Sequence, residues 1–389
     1  MCEELTISPM STRKRVVIVG GGFGGYVLFK KLSRARYINV ILFDKTGYLT
    51  FTPLLPDSIS GVPQPGRLAV HVPFPRGGMV VQEEIVSVDL DKKIVNGKHE
   101  KYSYDYLVLA TGATVEDFGI PGVREYAWTL KSVEDAVRIR EWCAMTRRGM
   151  EPRSAVVVGG GPTGVELAAE LAEGLPRGSK VILVQKSSEL LLGYPVWMRS
   201  SARDVLLKKL GVRVMINMSV DKIFADGVSI LGGEHIEAEM IIWTAGVKPN
   251  FPDLRGLVEF NERGRIKTNS KFEIEKYPGV FVIGDGAAVL DAAGAPLPQL
   301  AQVAEKEGRA LARIICRLSR GKKSKGFGFK SPGMLLGLGS KNGLAEVWGV
   351  HFSGFWGAWL RRAAYMWKMP LWRTSLGFAA DYIRNKKHR

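Results

Sequence analysis

The chain has 389 residues, 46% hydrophobic and 24% charged, an ordinary globular composition with room for two domains and an appendage. Its three cysteines, Cys2, Cys143 and Cys316, lie too far apart for a CxxC redox pair or a sequence-local zinc site, so neither a dithiol mechanism nor a metal centre is expected. The formal net charge is +17; from Arg317 onward 15 Lys/Arg face two acids, Glu346 and Asp381, which puts +13 of it there. A basic end of this kind suits nucleic acid, an anionic membrane surface or a solvated face, and charge alone does not choose among them.

In chain order, the N-terminus MCEELTISPMSTRKR precedes an apolar run, Val16 to Val19, that is far too short for a signal peptide, so a cytoplasmic protein is expected. Residues 14–19 (KRVVIV) predict a short buried parallel strand, followed by a glycine turn, a helix to about Arg34 and a strand from Asn39 to Phe43. Segments such as MVVQEEIVSVDL and YDYLVLATG predict further strands. The strand, glycine turn, helix and strand order returns at residues 154–185 in SAVVV, VELAAELAEGL and KVILVQ, about 140 residues on. EAEMIIWTAGVKPN and YPGVFVIGDG repeat the pattern of a strand running into glycine. Residues 317–330, with six Lys/Arg and no acid, predict an exposed connection into a C-terminal segment rich in Trp, Phe and Gly.

The first glycine turn reads Gly20-Gly21-Gly22-Phe23-Gly24-Gly25, which places Gly20, Gly22 and Gly25 in GxGxxG register. In a dinucleotide loop the first glycine makes the tight turn, the second admits the pyrophosphate and the third lets helix and strand pack closely. The phosphates then meet free N–H groups at the helix N-terminus. Asp44 falls 19 residues after Gly25, at the strand end, where a carboxylate accepts from ribose hydroxyls. GxGxxG alone is also found in plain glycine turns; it is the strand, loop, helix, strand and acid together that specify a dinucleotide. The second turn reads Gly159-Gly160-Gly161-Pro162-Thr163-Gly164, with Gly159, Gly161 and Gly164 in register, but its strand-end position is Gln185, followed by Lys186. An acid there repels a 2′-phosphate, whereas Gln beside a cation need not. The alternative is that Gln185 bonds an unphosphorylated ribose as an acid would.

At the far end, the longest charge-free run, Val347 to Leu360, has 14 residues against the roughly 20 needed to span a bilayer. On a helix starting near Phe352, the residues Phe352, Phe355, Trp356, Trp359, Leu360, Ala363, Met366 and Trp367 share one face, with Arg361 and Lys368 opposite and Gly354 and Gly357 also off it. A Trp-rich face backed by a basic one predicts a helix lying in the membrane interface. Leu371 to Ile383 predict a second, weaker one, and Arg384, Lys386, Lys387 and Arg389 are placed to reach anionic headgroups. The competing reading packs this helix on the protein's own core or on a second subunit.

Essentially the whole chain resembles the two-dinucleotide-binding-domain flavoproteins, and among them the type II NADH:quinone oxidoreductases. The resemblance rests on GGGFGG at 20–25, YLTFTPLLP at 48–56, LATGAT at 109–114, GGGPTGVELAAEL at 159–171, WTAGVKPN at 243–250, VFVIGDGA at 280–287 and PQLAQVAEKEG at 298–308, in that order. It implies an α/β fold with two Rossmann-type domains and a C-terminal amphipathic membrane-association segment. FAD would be held by residues 12–115 and 273–320, NAD(P)H by 116–272, and the membrane segment would be 321–389. The residues expected at FAD are Gly20, Gly22, Phe23, Gly24, Gly25, Asp44, Lys45, Pro53, Ile85, Ala110, Thr111, Gly112, Gly284, Asp285, Ala301 and Gln302. Those expected at NADH or NADPH are Gly159, Gly161, Pro162, Thr163, Gly164, Glu166, Gln185, Lys186, Ala245 and Gly246.

The resemblance further implies that a helix starting near Leu300 aims its N-terminus at the flavin pyrimidine ring, where it stabilises the negative charge of the reduced ring. It puts Glu166, expected on the first turn of the second loop's helix, on the nicotinamide side; otherwise Glu166 is simply a favourable first-turn acid. Catalytic roles are expected for Glu166, Gln302 and Lys306. Two departures from the family pattern stand out. Where AQxAxQ is usual this chain reads Ala301-Gln302-Val303-Ala304-Glu305-Lys306, and where many members show Lys-Gly it has Pro332-Gly333. Lys306 then either supplies a cation or a proton relay at the quinone or is a surface helix residue.

The implied function is a ping-pong enzyme, peripheral on the cytoplasmic face of the cell membrane and homodimeric, that passes hydride from NAD(P)H to FAD and two electrons to a quinone without pumping protons. A sulfide:quinone oxidoreductase is the nearest rival, but the stretch Trp128-Thr-Leu-Lys-Ser-Val lacks the cysteine that chemistry uses. A soluble NAD(P)H:ferredoxin or disulfide reductase fits the tail and the missing CxxC less well. The reading outside enzymes is a flavin-binding scaffold whose basic aromatic tail stacks nucleic acid, although segregation into two faces suits lipid better and nucleic acid is not expected as a partner.

Overall fold

The structure, a computed structural model, describes residues 13–71, 77–291, 294–331 and 333–369. The described residues fall into two compact units, the first within Met1–Leu49, Pro73–Ala113 and Lys248–Phe329 and the second within Thr50–Val72, Thr114–Val247 and Lys330–Arg389. These units differ from the expected boundaries in three places. Residues 50–72 join the second unit, because the turn Asp57–Ser60 packs on the helices Val133–Gly149 and Pro162–Gly174. Residues 248–272 join the first, where Ile266 and Phe272 are wholly buried in its core. The described part of the C-terminal segment belongs to the second unit and does not stand apart.

The first unit opens with β1 (Lys14–Val19), α1 (Phe23–Leu32), β2 (Ile38–Asp44), β3 (Gly78–Gln82) and β4 (Tyr106–Leu109). β1 is parallel to both β2 and β4, with Val16 opposite Val40 and Val17 opposite Leu107. Val16, Val17 and Ile18 are fully buried, as expected of a parallel strand covered on both faces, whose sequence is a continuous apolar run.

In the second unit, α2 (Val133–Gly149) starts at Ser132 with a reciprocal capping box to Asp135. It is followed by β5 (Ser154–Val158), α3 (Pro162–Gly174), β6 (Lys180–Val184), β7 (Arg213–Met215) and β8 (Met240–Trp243). These strands form a parallel sheet in the order β7-β6-β5-β8, with Val156 opposite Ile182 and Val157 opposite Ile242. The chain then returns to the first unit with β9 (Val280–Val282), which completes the order β9-β4-β1-β2-β3, and with α4 (Ala301–Leu318). Both sheets thus place their glycine loop at the carboxyl end of an inner strand, beside the point where strand order reverses.

The chain ends in the second unit with a three-stranded antiparallel sheet, β10 (Gly333–Gly337), β11 (Gly343–Val347) and β12 (Val350–Ser353), and with α5 (Gly354–Lys368). The small sheet was not expected from the sequence. α5 lies directly on β11 because both surfaces are bare: a Cβ on Gly357 would sit 2.2 Å from Gly343 O, and one on Gly343 would sit 2.6 Å from Ala358 N. No helix among the described residues is long and apolar enough to cross a membrane.

α5 leaves its aromatic face uncovered within the described residues, as a helix expected to lie in a membrane interface would, and packs on its own unit through the opposite face. Phe355, Trp356, Trp359 and Trp367 are 63%, 65%, 54% and 88% exposed, whereas Arg361, expected opposite the apolar face, is buried. Acidic partners for Arg361 lie inside the unit, and without them its buried charge would be uncompensated. The second predicted amphipathic stretch, Leu371 to Ile383, and the terminal Arg384, Lys386, Lys387 and Arg389 lie outside the described residues, as does Pro332.

Candidate functional site

The two glycine loops have the same stereochemistry, residue for residue. Gly20 and Gly159 take φ of +103° and +114°, and added Cβ atoms would strike Ala110 O at 2.4 Å and Ala245 Cα at 2.6 Å. Cβ atoms on Gly25 and Gly164 would lie 1.9 Å from Gly20 O and Gly159 O, so these positions admit no side chain. Gly22 and Gly161, by contrast, face nothing within 4 Å: their openness serves an approaching group, not packing. α1 and α3 begin there with neither a side-chain cap nor a first-turn acid, leaving their free N–H groups available to an anion. Phe23 starts α1, Pro162 and Thr163 start α3, and a Cβ on Gly24 would meet Ala304 O at 3.1 Å.

The strand-end side chains also match in position. Asp44 Oδ2 accepts from Gly21 N at 2.7 Å, while its Oδ1 accepts from Thr46 N at 2.8 Å and from Thr46 Oγ1 at 2.6 Å. In the second loop Gln185 Oε1 accepts from Gly160 N at 2.6 Å, and Gln185 Nε2 donates to Ser187 Oγ. Gln185 therefore ties its loop as an acid would, but turns a donor and not a second carboxylate oxygen toward Ser187. Lys186 is exposed beside it.

Of the other residues expected near FAD, Ala110 is buried after β4, and Gly112 takes φ of +67°. Thr111 Oγ1 is buried without a hydrogen-bond partner. Ile85 opens the strand Ile85–Asp89 and is buried in the first unit's core, Lys45 is exposed, and Pro53 falls in the second unit. Gly284 and Asp285 form a turn after β9, and Asp285 O accepts from Gln299 Nε2 at 3.1 Å. Ala301 and Gln302 are the first two residues of α4, which also begins with no side-chain cap and no first-turn acid. Lys306 lies one turn further on, its Nζ 4.8 Å from the centre of the Phe329 ring. In the second unit Gly246 O accepts from Glu116 N at 3.1 Å.

Glu166 departs from expectation. It is the fifth residue of α3, beyond the first turn, and its carboxylate is buried. Its Oε1 accepts from Gly337 N at 2.8 Å and from Arg361 Nη2 at 3.0 Å. Arg361 also donates to both oxygens of Asp57, at 2.7 and 2.9 Å, and to Pro53 O at 3.2 Å. One turn along α3, Glu170 accepts from Ser60 Oγ. Burial pushes the Glu166 carboxyl up to about 7 against the pull of Arg361, with Asp57 adding to the rise; burial and then Asp57 hold Glu170 well above its ordinary range. Desolvation likewise raises half-buried Tyr365, to about 12, against the pull of Arg361.

Sequence reading missed Asp57, Glu170 and Arg361, and in the first unit Arg265 and Glu307. The one available signal was local: Asp57 and Glu170 interrupt apolar stretches, LLPDSIS and ELAAELA, where an acid is out of pattern.

Residues 14–308 match the pyridine nucleotide-disulphide oxidoreductase family, so the class is that of two-dinucleotide oxidoreductases built on this doubly repeated sheet. The chain is 30% identical to the type II NADH:quinone oxidoreductase of Mycobacterium tuberculosis, over 92% of this chain and 85% of that protein. It is 27% identical to the demethylphylloquinone reductase of Synechocystis sp., over 95% and 96%. The chain belongs to the type II NADH:quinone oxidoreductases. In fold it is similar to NDH2 from Plasmodium falciparum solved with NADH, with a TM-score of 0.85 at 19% identity, covering 96% of this chain and 98% of that one. The family's cofactors are FAD and NAD(P)H, and the first loop fits FAD: Gly22 is open, α1 is uncapped, and the Thr111 hydroxyl is buried with its hydrogen bond unmade.

Proposed function

We propose that this protein is a peripheral membrane flavoenzyme that oxidises NAD(P)H and reduces a quinone by two electrons, with no proton pumping. The observation that carries the reading is the pair of stereochemically equal glycine loops with unequal strand ends, Asp44 in one and Gln185 beside Lys186 in the other. Two dinucleotide sites of different preference suit a donor nucleotide and a resident cofactor. When bound, FAD supplies the two-electron relay between the nicotinamide and the quinone.

The chain's own residues then have distinct tasks. The Gly22 and Gly161 positions let pyrophosphate approach the backbone, and the N-termini of α1 and α3 stabilise its charge. Asp44, together with Lys45, Pro53, Ile85, the 110–112 turn and Gly284-Asp285, is assigned to FAD; Gln185, Lys186, Ala245 and Gly246 are assigned to NADH or NADPH. The uncapped start of α4, with Ala301 and Gln302, would favour negative charge at the flavin pyrimidine end. Lys306, four residues after Gln302, remains the proposed cation at the quinone; if Lys306→Ala leaves quinone turnover and quinone KM unchanged, that role is lost. Glu166 is assigned to the nicotinamide side.

The acceptor is read from α5. Trp348, Val350, Phe355, Trp356, Trp359 and Trp367 are exposed large apolar side chains on or next to that helix. Such a display suits an interface with lipid, from which an apolar quinone is collected, and the cytoplasmic face and a homodimer are parts of this reading. The sulfide:quinone rival is disfavoured by the two described cysteines: burial pushes the Cys143 thiol up to about 12, so it is no nucleophile, and Cys316 sits on α4 without a CxxC partner. The deciding experiment is anaerobic reduction of the protein-bound flavin by NADH and NADPH, then reoxidation by a soluble quinone. Reduction by sulfide and not by either nicotinamide would sink the proposal.

A further inference from the structure

The first unit contains a buried carboxyl that the reaction above leaves unused. Glu307, on the second turn of α4, is only 2% exposed, and among the described residues its one hydrogen bond is to the backbone: Oε2 accepts from Gly284 N at 2.6 Å. A buried carboxylate held by a single N–H and no ion pair is a poor structural choice unless its charge is used. It lines a small surface cleft together with Gly284, Asp285, Leu300, Ala304 and Arg265. Pro298 and Gln299, on the same cleft, are exposed, which gives water a path to it.

Burial raises the Glu307 carboxyl most, the hydrogen bond from Gly284 N lowers it, and the neighbouring charges act in opposite senses. Asp285, next to the hydrogen-bonded Gly284, opposes its ionisation, and Arg265 favours it. Arg265 is itself buried and already donates through Nη1 to Leu297 O at 3.2 Å, while its Nε has no partner. On α4, Glu305 pairs with Arg309 at 3.8 Å and Lys306 lies against Phe329. From α1 the residue facing this turn is Gly24, uncharged, whose carbonyl would lie 2.4 Å from a Cβ on Gly308. The net result, with burial the largest cause, is a carboxyl raised to about 7.

We infer that Glu307 is the proton-exchanging group of the first unit's cofactor site, binding one proton from water when negative charge enters that site and releasing it when the charge leaves. This rests on the proposed FAD reading of the Gly284-Asp285 turn. Two electrons arriving with one proton as hydride add one negative charge to the site. Glu307 offsets it by forming an O–H bond on its carboxylate with a proton from water, and returns the proton once both electrons have gone to the acceptor. Its hydrogen bond to Gly284 makes the coupling short, because charges interact strongly where water is excluded. Glu307 acts through the turn and is a positioning and charge-compensating residue, not a catalytic one.

The test is the midpoint potential of the FAD in the holoenzyme against pH, from about 5.5 to 8.5, poised chemically so that neither nicotinamide nor quinone is needed. The wild-type slope is expected to steepen by about 30 mV per pH unit, one proton per two electrons, over the interval in which Glu307 is ionised beside the oxidised cofactor and protonated beside the reduced one. Glu307→Gln should lose that extra slope, and Glu307→Asp should keep it with the break displaced. A wild-type slope without a break, a break that persists in Glu307→Gln, or one that does not move in Glu307→Asp overturns the inference. Protein that carries no FAD, or flavin that NAD(P)H fails to reduce in a separate assay, instead overturns the functional reading beneath it.

Discussion

Arg361 and Asp57 are 304 residues apart in the chain and meet in a two-point ion pair inside the second unit, Nη1 to Oδ1 at 2.7 Å and Nη2 to Oδ2 at 2.9 Å. The same guanidinium reaches Glu166 on the glycine-loop helix. The C-terminal helix is thus fastened to the helix of the second glycine loop by a charge on the face opposite its aromatic residues.

Removing Arg361 strands two buried acids. Arg361→Met is expected to lower stability by about 3–5 kcal/mol, because breaking one side of a buried pair costs more than the pair ever contributed. The double variant Arg361→Met with Asp57→Leu should recover part of it, Glu166 still lacking its cation. Arg361→Lys should fall between, since an ammonium cannot make both contacts to Asp57 at once. Equilibrium unfolding in urea measures all three. Full stability in Arg361→Met would contradict the burial described for this residue.

Glu166 gives the stability a pH dependence of known sign. Its carboxyl is raised from an ordinary 4.5 to about 7. A raised group contributes stability that is complete below the unfolded value and lost as pH rises through the folded one, here across roughly pH 4.5 to 7, about 3 kcal/mol in all. Glu166→Gln, a permanent mimic of the protonated form, should remove that share of the slope. Unfolding curves at pH 5 and pH 8 for both proteins test it; equal slopes would mean that Glu166 is ionised throughout.

The glycines divide into those the fold needs and those a ligand needs. Gly25→Ala puts a Cβ 1.9 Å from Gly20 O and should destabilise the first unit, whereas Gly22→Ala meets nothing within 4 Å and should fold with wild-type stability. Gly22→Ala is nonetheless expected to reduce FAD retention about tenfold, by standing where pyrophosphate approaches. The flavin-to-protein absorbance ratio and the thermal midpoint, read together, separate the two effects.

Nucleotide preference should follow Gln185. Replacing it by Glu keeps the bond to Gly160 N but sets a negative charge where a 2′-phosphate would lie, so kcat/KM for NADPH should fall about tenfold or more while that for NADH changes little. A wild-type enzyme that already prefers NADH by more than about a hundredfold would remove the basis for this expectation.

The aromatic face of α5 is testable by substitution but not by truncation. Cutting the chain after Arg320 also removes β10, β11 and Arg361, and leaves Asp57 and Glu166 without their cation. Trp356→Ser with Trp359→Ser alters only exposed side chains. It should weaken co-sedimentation with anionic vesicles about tenfold or more and leave the unfolding midpoint unchanged. Unaltered vesicle binding would refute the interface.

Much of this protein was legible in its sequence, because the features concerned are local. The glycine loops, their flanking strands at 14–19 and 154–158 and the helices that follow are fixed by backbone sterics within a few dozen residues, so GGGFGG and GGGPTG announce them. The helical period likewise put Trp356 and Trp359 on one side of α5 and Arg361 on the other. Period alone does not say which side faces inward. Which side faces inward depends on distant segments: Asp57 and Glu166 converge on Arg361 at one buried point, and the bare surfaces of Gly343 and Gly357 let the helix close onto β11. Glu307 was illegible for the same reason: its single partner, Gly284, comes from another segment, and only tertiary structure brings a carboxyl and a backbone N–H together away from water.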